Sequence, residues 1–143
     1  DGIAIGSLIT TQMVGAMLSN FVWGRLSGKG LNKLTANISI SLHIVAISMA
    51  FFVSTLELYM VIFFLVGAAL DGNRIASGNL ILALAPPQKR PIYMALQINI
   101  ISFGLSFSLL GGTILHFFSY TTLYSITLFT LLVSLGFSFY LKD

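Results

Sequence analysis

Long stretches without an ionised side chain dominate this sequence: no Asp, Glu, Lys or Arg occurs from Gly2 to Gly24, from Leu34 to Leu56 or from Pro91 to Leu141. A water-facing surface needs charges at short intervals, and soluble chains carry them at about a quarter of their positions. Here only 8% of 143 residues are charged and 57% are hydrophobic. The chain therefore folds in a lipid bilayer. A nucleic-acid partner is excluded, because it requires clustered Lys and Arg with exposed aromatics, whereas these basic residues are few and the aromatics lie inside apolar runs. With no cysteine there is neither a disulfide frame nor a thiolate metal site, and no cofactor motif is present.

One helical crossing takes about 20 apolar residues. The first two charge-free stretches fit one helix each. The third is long enough for two, divided by the polar cluster His116, Ser119, Tyr120, Thr121, Thr122. Leu58 to Ala85 forms a further apolar run interrupted only by Asp71 and Arg74. Strands of a membrane barrel would alternate polar and apolar residues, which Val61-Ile62-Phe63-Phe64-Leu65-Val66 does not. The expectation is an all-α, polytopic transmembrane helix bundle, a single domain over residues 1–143, with five spans at about 3–26, 35–54, 57–85, 92–116 and 121–141.

Short loops rich in Lys and Arg stay cytoplasmic. Arg25, Lys29 and Lys33 follow the first span, Lys89 and Arg90 the third, and Lys142 the fifth, all on one side, while Glu57 falls on the other. Six of the seven basic residues thus predict a cytoplasmic C-terminus and an outer Asp1. Residue 1 is not Met and no basic segment precedes the first apolar run, so the expectation is a fragment, with at least one further helix ahead of Asp1.

The first inner loop reads Trp23-Gly24-Arg25-Leu26-Ser27-Gly28-Lys29-Gly30-Leu31-Asn32-Lys33-Leu34. It resembles the signature loop of the major facilitator superfamily, with Gly24, Leu26, Ser27, Lys29 and Lys33 at matching positions. Gly28 stands where the family has an aspartate, Leu31 where it has glycine, and Asn32 where it has a basic residue. This degeneracy resembles the second copy of the loop, in the C-terminal half of such transporters. The segment Asn79 to Leu96, with Ala85-Pro86 closing one helix, the pair Lys89-Arg90, and Tyr93 opening the next, is similar to the inner loop between the tenth and eleventh helices of bacterial permeases. Gly104 to Gly112 resembles their glycine-rich eleventh helix, with Phe107 and Ser108 replacing a frequent Gly-Pro. The resemblance maps the five spans onto helices eight to twelve. An alternative register, helices two to six, is supported by the stronger form of the signature loop there and by Arg74 followed four residues on by Gly78, which mimics a fourth-helix motif.

What the resemblance implies is a secondary active permease in the plasma membrane, moving a small solute by alternating access with ion coupling. Its partners are that unidentified solute, the lipid bilayer and the other half of the same polypeptide. The first, third and fourth spans would line the cavity while the second and fifth face lipid.

Asp71 and Arg74 fall near the middle of the third span, where a charge costs about 2.5–3.5 kcal/mol on insertion scales. Spaced three apart they share a helix face, with Gly67 and Gly78 extending the stripe. The functional reading makes Asp71 a proton or cation carrier and Arg74 an anion anchor or counter-charge; the alternative is a self-neutralised packing pair. Gln97 and Asn99 in the fourth span, and Gln12 and Asn20 in the first, are further pathway candidates that could equally bond a neighbouring helix. Gly104, Ser108 and Gly112 form a small-residue stripe suited to close helix packing. His43 and His116 are isolated, without metal-ligand spacing. Trp23, Tyr59, Tyr93, Tyr120 and Tyr124 lie near span ends and read as interfacial anchors. An intramembrane protease would need Gly-x-Ser-Gly or His-Glu-x-x-His, and neither occurs; Ile75-Ala76-Ser77-Gly78 lacks the leading glycine. A non-transporting membrane subunit has no need of charges at mid-bilayer. No enzymatic activity is expected.

Overall fold

The computed structural model describes residues 2–141, apart from the side chains of Ser108 and Leu109. Lys142, used above for orientation, lies outside the described residues, as does the side chain of Ser108 in the small-residue stripe. The described residues form helices α1 (Gly2–Gly28), α2 (Asn32–Ala50), α3 (Leu56–Leu84), α4 (Arg90–Ser106), α5 (Ser108–Phe117) and α6 (Tyr120–Ser138), with a 3-10 turn at Pro87–Lys89 and no strand. Five helical units are long and apolar enough to cross a membrane, the fourth being Pro87–Phe117 with α4 and α5 together. The protein is an all-α integral membrane protein.

Local chemistry accounts for the helix ends. Gly30 has a positive φ of 75°, and the Leu31 N–H bonds back to the Leu26 carbonyl at 3.1 Å while the Gly30 N–H reaches Ser27 O at 2.9 Å. These two bonds make a Schellman motif, which glycine adopts without a Cβ penalty. It carries α1 on to Gly28, beyond residue 26. Helix α2 stops at Ala50, short of 54. Its last carbonyls are taken by tightened bonds from the Phe51 and Phe52 N–H groups to Ser48 and Met49, and Val53-Ser54-Thr55 favours extended backbone. Pro86 ends α3 by holding Ala85 extended, at φ −79° and ψ 133°. The Ser119 hydroxyl caps α6 by accepting the Thr122 N–H at 3.3 Å.

The fourth unit is interrupted at Phe107. There the N–H bonds Gly104 O at 3.0 Å, a three-residue closure in place of the α-helical one. Ser106 also donates its hydroxyl back to Ser102 O at 3.3 Å. Glycine and back-bonding serine weaken the helical ladder, and no neighbouring helix covers this region to hold it straight: α4 has no buried residue.

Helix α3 is the centre of the bundle, packed between α1 and α2, while α6 lies against α2, and α4 meets the C-terminal half of α3 near Asn73, Ser77 and Ile81. Small residues make these contacts close. A Cβ at Gly15 of α1 would run into the Phe64 carbonyl of α3, and one at Gly67 of α3 into the Gln12 carbonyl of α1. A Cβ at Gly72 would meet the Trp23 ring at 2.7 Å and the Ser39 hydroxyl. Helices in lipid associate through such backbone approach and van der Waals contact, because lipid supplies no hydrophobic drive between them. On the other side of α3, Ala46, Ala50 and Ile62 form a buried cluster with Tyr59 and Tyr124 against it. Trp23 is not an interfacial anchor. It is buried at 3% exposure, and its indole N–H donates to the Ala68 carbonyl at 3.0 Å.

Candidate functional site

Two sets of polar residues on α3 open into different clefts, and the second set, Asn73 and Ser77, also borders α2 and α6 beside Ala36, Ser134 and Ser138. Toward α1, Asp71 and Arg74 form an ion pair, with Arg74 Nη2 at 2.7 Å from Asp71 Oδ1. The two members are placed very differently. The Asp71 side chain is 11% exposed, that of Arg74 79%. Asp71 Oδ2 is buried and, among the described residues, has no hydrogen-bond partner. A carboxylate accepts at both oxygens, so half of this group's capacity is unused where desolvation makes that costly.

Around the pair lies a cleft of about 310 Å³, lined among others by Gln12, Met13, Ala16, Gly67, Asp71 and Arg74. Gly67 builds it. Without a side chain there, α1 approaches closely enough for Gln12 to stand over the same opening as the carboxylate. Of the first-span candidates, Gln12 joins the charged pair. Asn20 is exposed and lines neither cleft.

Toward α4, a second cleft of about 350 Å³ is lined by Asn73, Ser77 and Ile81 of α3 and by Tyr93, Leu96, Gln97 and Ile100 of α4. Asn99 is exposed and lines neither cleft. Further along, the small-residue stripe stands open: a Cβ at Gly104 or at Gly112 would meet nothing within 4 Å.

The family model of the Major Facilitator Superfamily matches residues 1–143, the full chain given. The chain belongs to the major facilitator superfamily. No curated protein and no solved structure matches it. Members of this superfamily are membrane transporters.

In this superfamily member the loop after α1 is tied to α3 by neutral groups. Ser27 donates its hydroxyl to Asn32 Oδ1 at 3.2 Å, and the Asn79 amide of α3 donates to Ser27 Oγ. Gly24 has open space where a side chain would be, Lys29 is exposed, and Leu26 and Lys33 are half-buried. His43 is half-buried within α2, and His116 packs edge-on against Phe117 with ring centroids 4.9 Å apart. Among the described residues no three His, Cys, Asp or Glu side chains gather as a metal site.

Three polar residues of α3 carry no site signature of their own in the sequence: Asn73, Ser77 and Asn79. Asn73 and Ser77, one helical turn apart, form a polar pair on a face of α3 distinct from the Asp71 face, and that i, i+4 spacing was the available signal. Asn79 was hidden because its partner, Ser27, is 52 residues away in the chain.

Proposed function

We propose that the chain supplies helices eight to twelve of a secondary active transporter of the plasma membrane, with its C-terminus cytoplasmic. It moves a small solute by alternating access, and Asp71 carries the coupling ion. One observation carries the coupling reading: the unpartnered Asp71 Oδ2, buried near the middle of the central helix while Oδ1 is held by Arg74. A purely structural pair would satisfy both oxygens. A carboxylate with one free oxygen in a cleft can take up a proton or contribute to a cation's coordination, and intramembrane ionisable residues generally mark such pathways. Arg74 keeps the emptied site from standing as a lone buried anion, and Gln12 offers an amide to the bound species. The exposed Arg74, the uncovered α4 and the open Gly104, Gly112 stripe support a second set of helices closing over these surfaces. The Gly28 substitution in the signature loop favours the C-terminal register over helices two to six.

Charge-neutral variants in the full-length protein provide the test. Asp71→Asn or Arg74→Gln alone leaves an uncompensated charge in low dielectric, so either is expected to impair the protein whatever the role of the pair. The double variant separates the readings. With Asp71 as carrier, it inserts normally and retains downhill exchange in proteoliposomes, but accumulation driven by a proton or sodium gradient is lost. Full gradient-driven accumulation by the double variant would reduce the pair to a packing element.

A further inference from the structure

The two polar faces of α3 differ in kind, and the difference bears on what the transporter carries. On the α1 side stand the ionised groups. On the α4 side Asn73, Ser77, Tyr93 and Gln97 converge on one cleft that contains no Asp, Glu, Lys, Arg or His. Ser77 donates its hydroxyl to the Arg74 carbonyl at 3.2 Å. Among the described residues the Asn73 and Gln97 amides form no hydrogen bond, with each other or with the backbone.

A primary amide carries two donors and an acceptor with two lone pairs. Asn73 is exposed and Gln97 half-buried, so both amides are open to an occupant of the cleft that can pair with them. The occupant's charge follows from the lining. An ion brought into this cleft would be desolvated without a counter-charge, since Asp71 and Arg74 open into the other cleft. The remaining wall, Ile81, Leu96 and Ile100 among it, is aliphatic and suits C–H surface. At about 350 Å³ the volume lies at the small end of ligand pockets.

Resting on the transporter reading above, we infer that the α3–α4 cleft binds the transported solute and that this solute is uncharged, with several hydroxyl or amide groups on one side and an apolar face on the other. Asn73 and Gln97 grip the polar side from opposite helices, Ser77 and Tyr93 add hydroxyls, and the ion site across α3 remains free for the coupling ion. Solute and ion thus occupy opposite faces of one helix, which gives α3 a direct means of sensing both.

Thermal unfolding of the purified full-length protein, titrated with defined probes, tests this without requiring transport. The probes are glucose, mannitol and uridine as uncharged solutes, citrate as an anion and choline as a cation. The expected result is saturable stabilisation by at least one uncharged probe, with half-saturation about tenfold weaker in Asn73→Leu and in Gln97→Leu. As a second reading that does not depend on those variants folding equally well, Asn73→Cys and Gln97→Cys are expected to react with a hydrophilic thiol reagent and to be protected by the same probe. The inference is overturned if none of the uncharged probes stabilises the protein, if only citrate or choline does, or if the leucine variants bind unchanged. Stabilisation by citrate alone, abolished by Arg74→Gln, would move the solute to the charged cleft and leave the transporter reading intact. Uncharged binding without any uptake into proteoliposomes would instead defeat the transporter reading and keep the site.

Discussion

Glycine positions in this chain divide into two classes that look alike in the sequence. Gly67 is pressed against the backbone of α1, with the Gln12 carbonyl carbon 2.8 Å from where a Cβ would sit, whereas Gly104 and Gly112 have nothing within 4 Å. Backbone cannot swing aside as a flexible side chain can, so Gly67→Ala must push α1 away from α3. The expected cost is ~1–3 kcal/mol, the usual range for overpacking, together with loss of the cleft that holds Gln12 beside Asp71. Gly104→Leu meets no such obstacle within these helices; we propose that in the full-length protein it is opposed by a helix of the other half. Unfolding temperatures of both variants check this: Gly67→Ala is expected to lower the value clearly, and an unchanged value for Gly104→Leu would mean that the stripe faces lipid. The 104, 108, 112 periodicity is legible in the sequence, whereas the facing of Gly15 and Gly67 across α1 and α3 is not. Spacing reveals a smooth face on one helix, but which other helix lies against it is a tertiary fact.

Helix α1 illustrates how a shift of one turn changes a residue's role. The Schellman motif at Gly30 extends the helix past Arg25, so Trp23 does not sit at a span's end but packs against α3, with its N–H on the Ala68 carbonyl and its ring against Gly72. Trp23→Phe removes the donor and part of the ring, and the expected loss is about 1 kcal/mol for the hydrogen bond plus the lost packing. It should appear as a lower unfolding temperature, with topology preserved. Because Trp23 is the one tryptophan of these 143 residues, a direct optical check is also open once any tryptophan elsewhere in the full-length protein is replaced: its emission should resist quenching by brominated lipid, whereas an interfacial ring would be quenched. The existence of five apolar helical units is legible in hydropathy because the bilayer imposes a similar length on all of them. Hydropathy could not reveal the break at Phe107, since Phe and Leu on either side are as apolar as any spanning segment and the interruption arises from glycine and serine backbone chemistry. Asp71 and Arg74 were legible for the opposite reason: a charge in lipid is conspicuous, whereas an amide such as Asn73 is not until its neighbours are known.

Across the whole molecule, the distribution of charge and the positions of the turns point to one orientation. The turn after α1 and the Pro87–Lys89 turn before α4 share a side, and both are basic: Arg25, Lys29 and Lys33 belong to the first, Lys89 and Arg90 to the second. The connections at 51–55 and 118–119 lie at the opposite ends of the same helices and carry no charge, with Glu57 in the first turn of α3. Cytoplasmic retention of Lys and Arg in short loops sets the direction of insertion, and Glu57 near the α3 N-terminus also complements the helix dipole there. We therefore expect the two basic turns inside the cell. These residues contain no cysteine, so in a full-length background cleared of any cysteine elsewhere Lys29→Cys, Gln88→Cys, Thr55→Cys and Thr121→Cys each introduce a single reactive position, all of them exposed. In intact cells an impermeant thiol reagent should modify the residue-55 and residue-121 variants, and reach the residue-29 and residue-88 variants only after permeabilisation. Labelling at 29 or 88 in intact cells would invert the bundle, placing the signature loop and its Ser27–Asn79 tie on the outer side and removing the basis for assigning that loop to the cytoplasmic face.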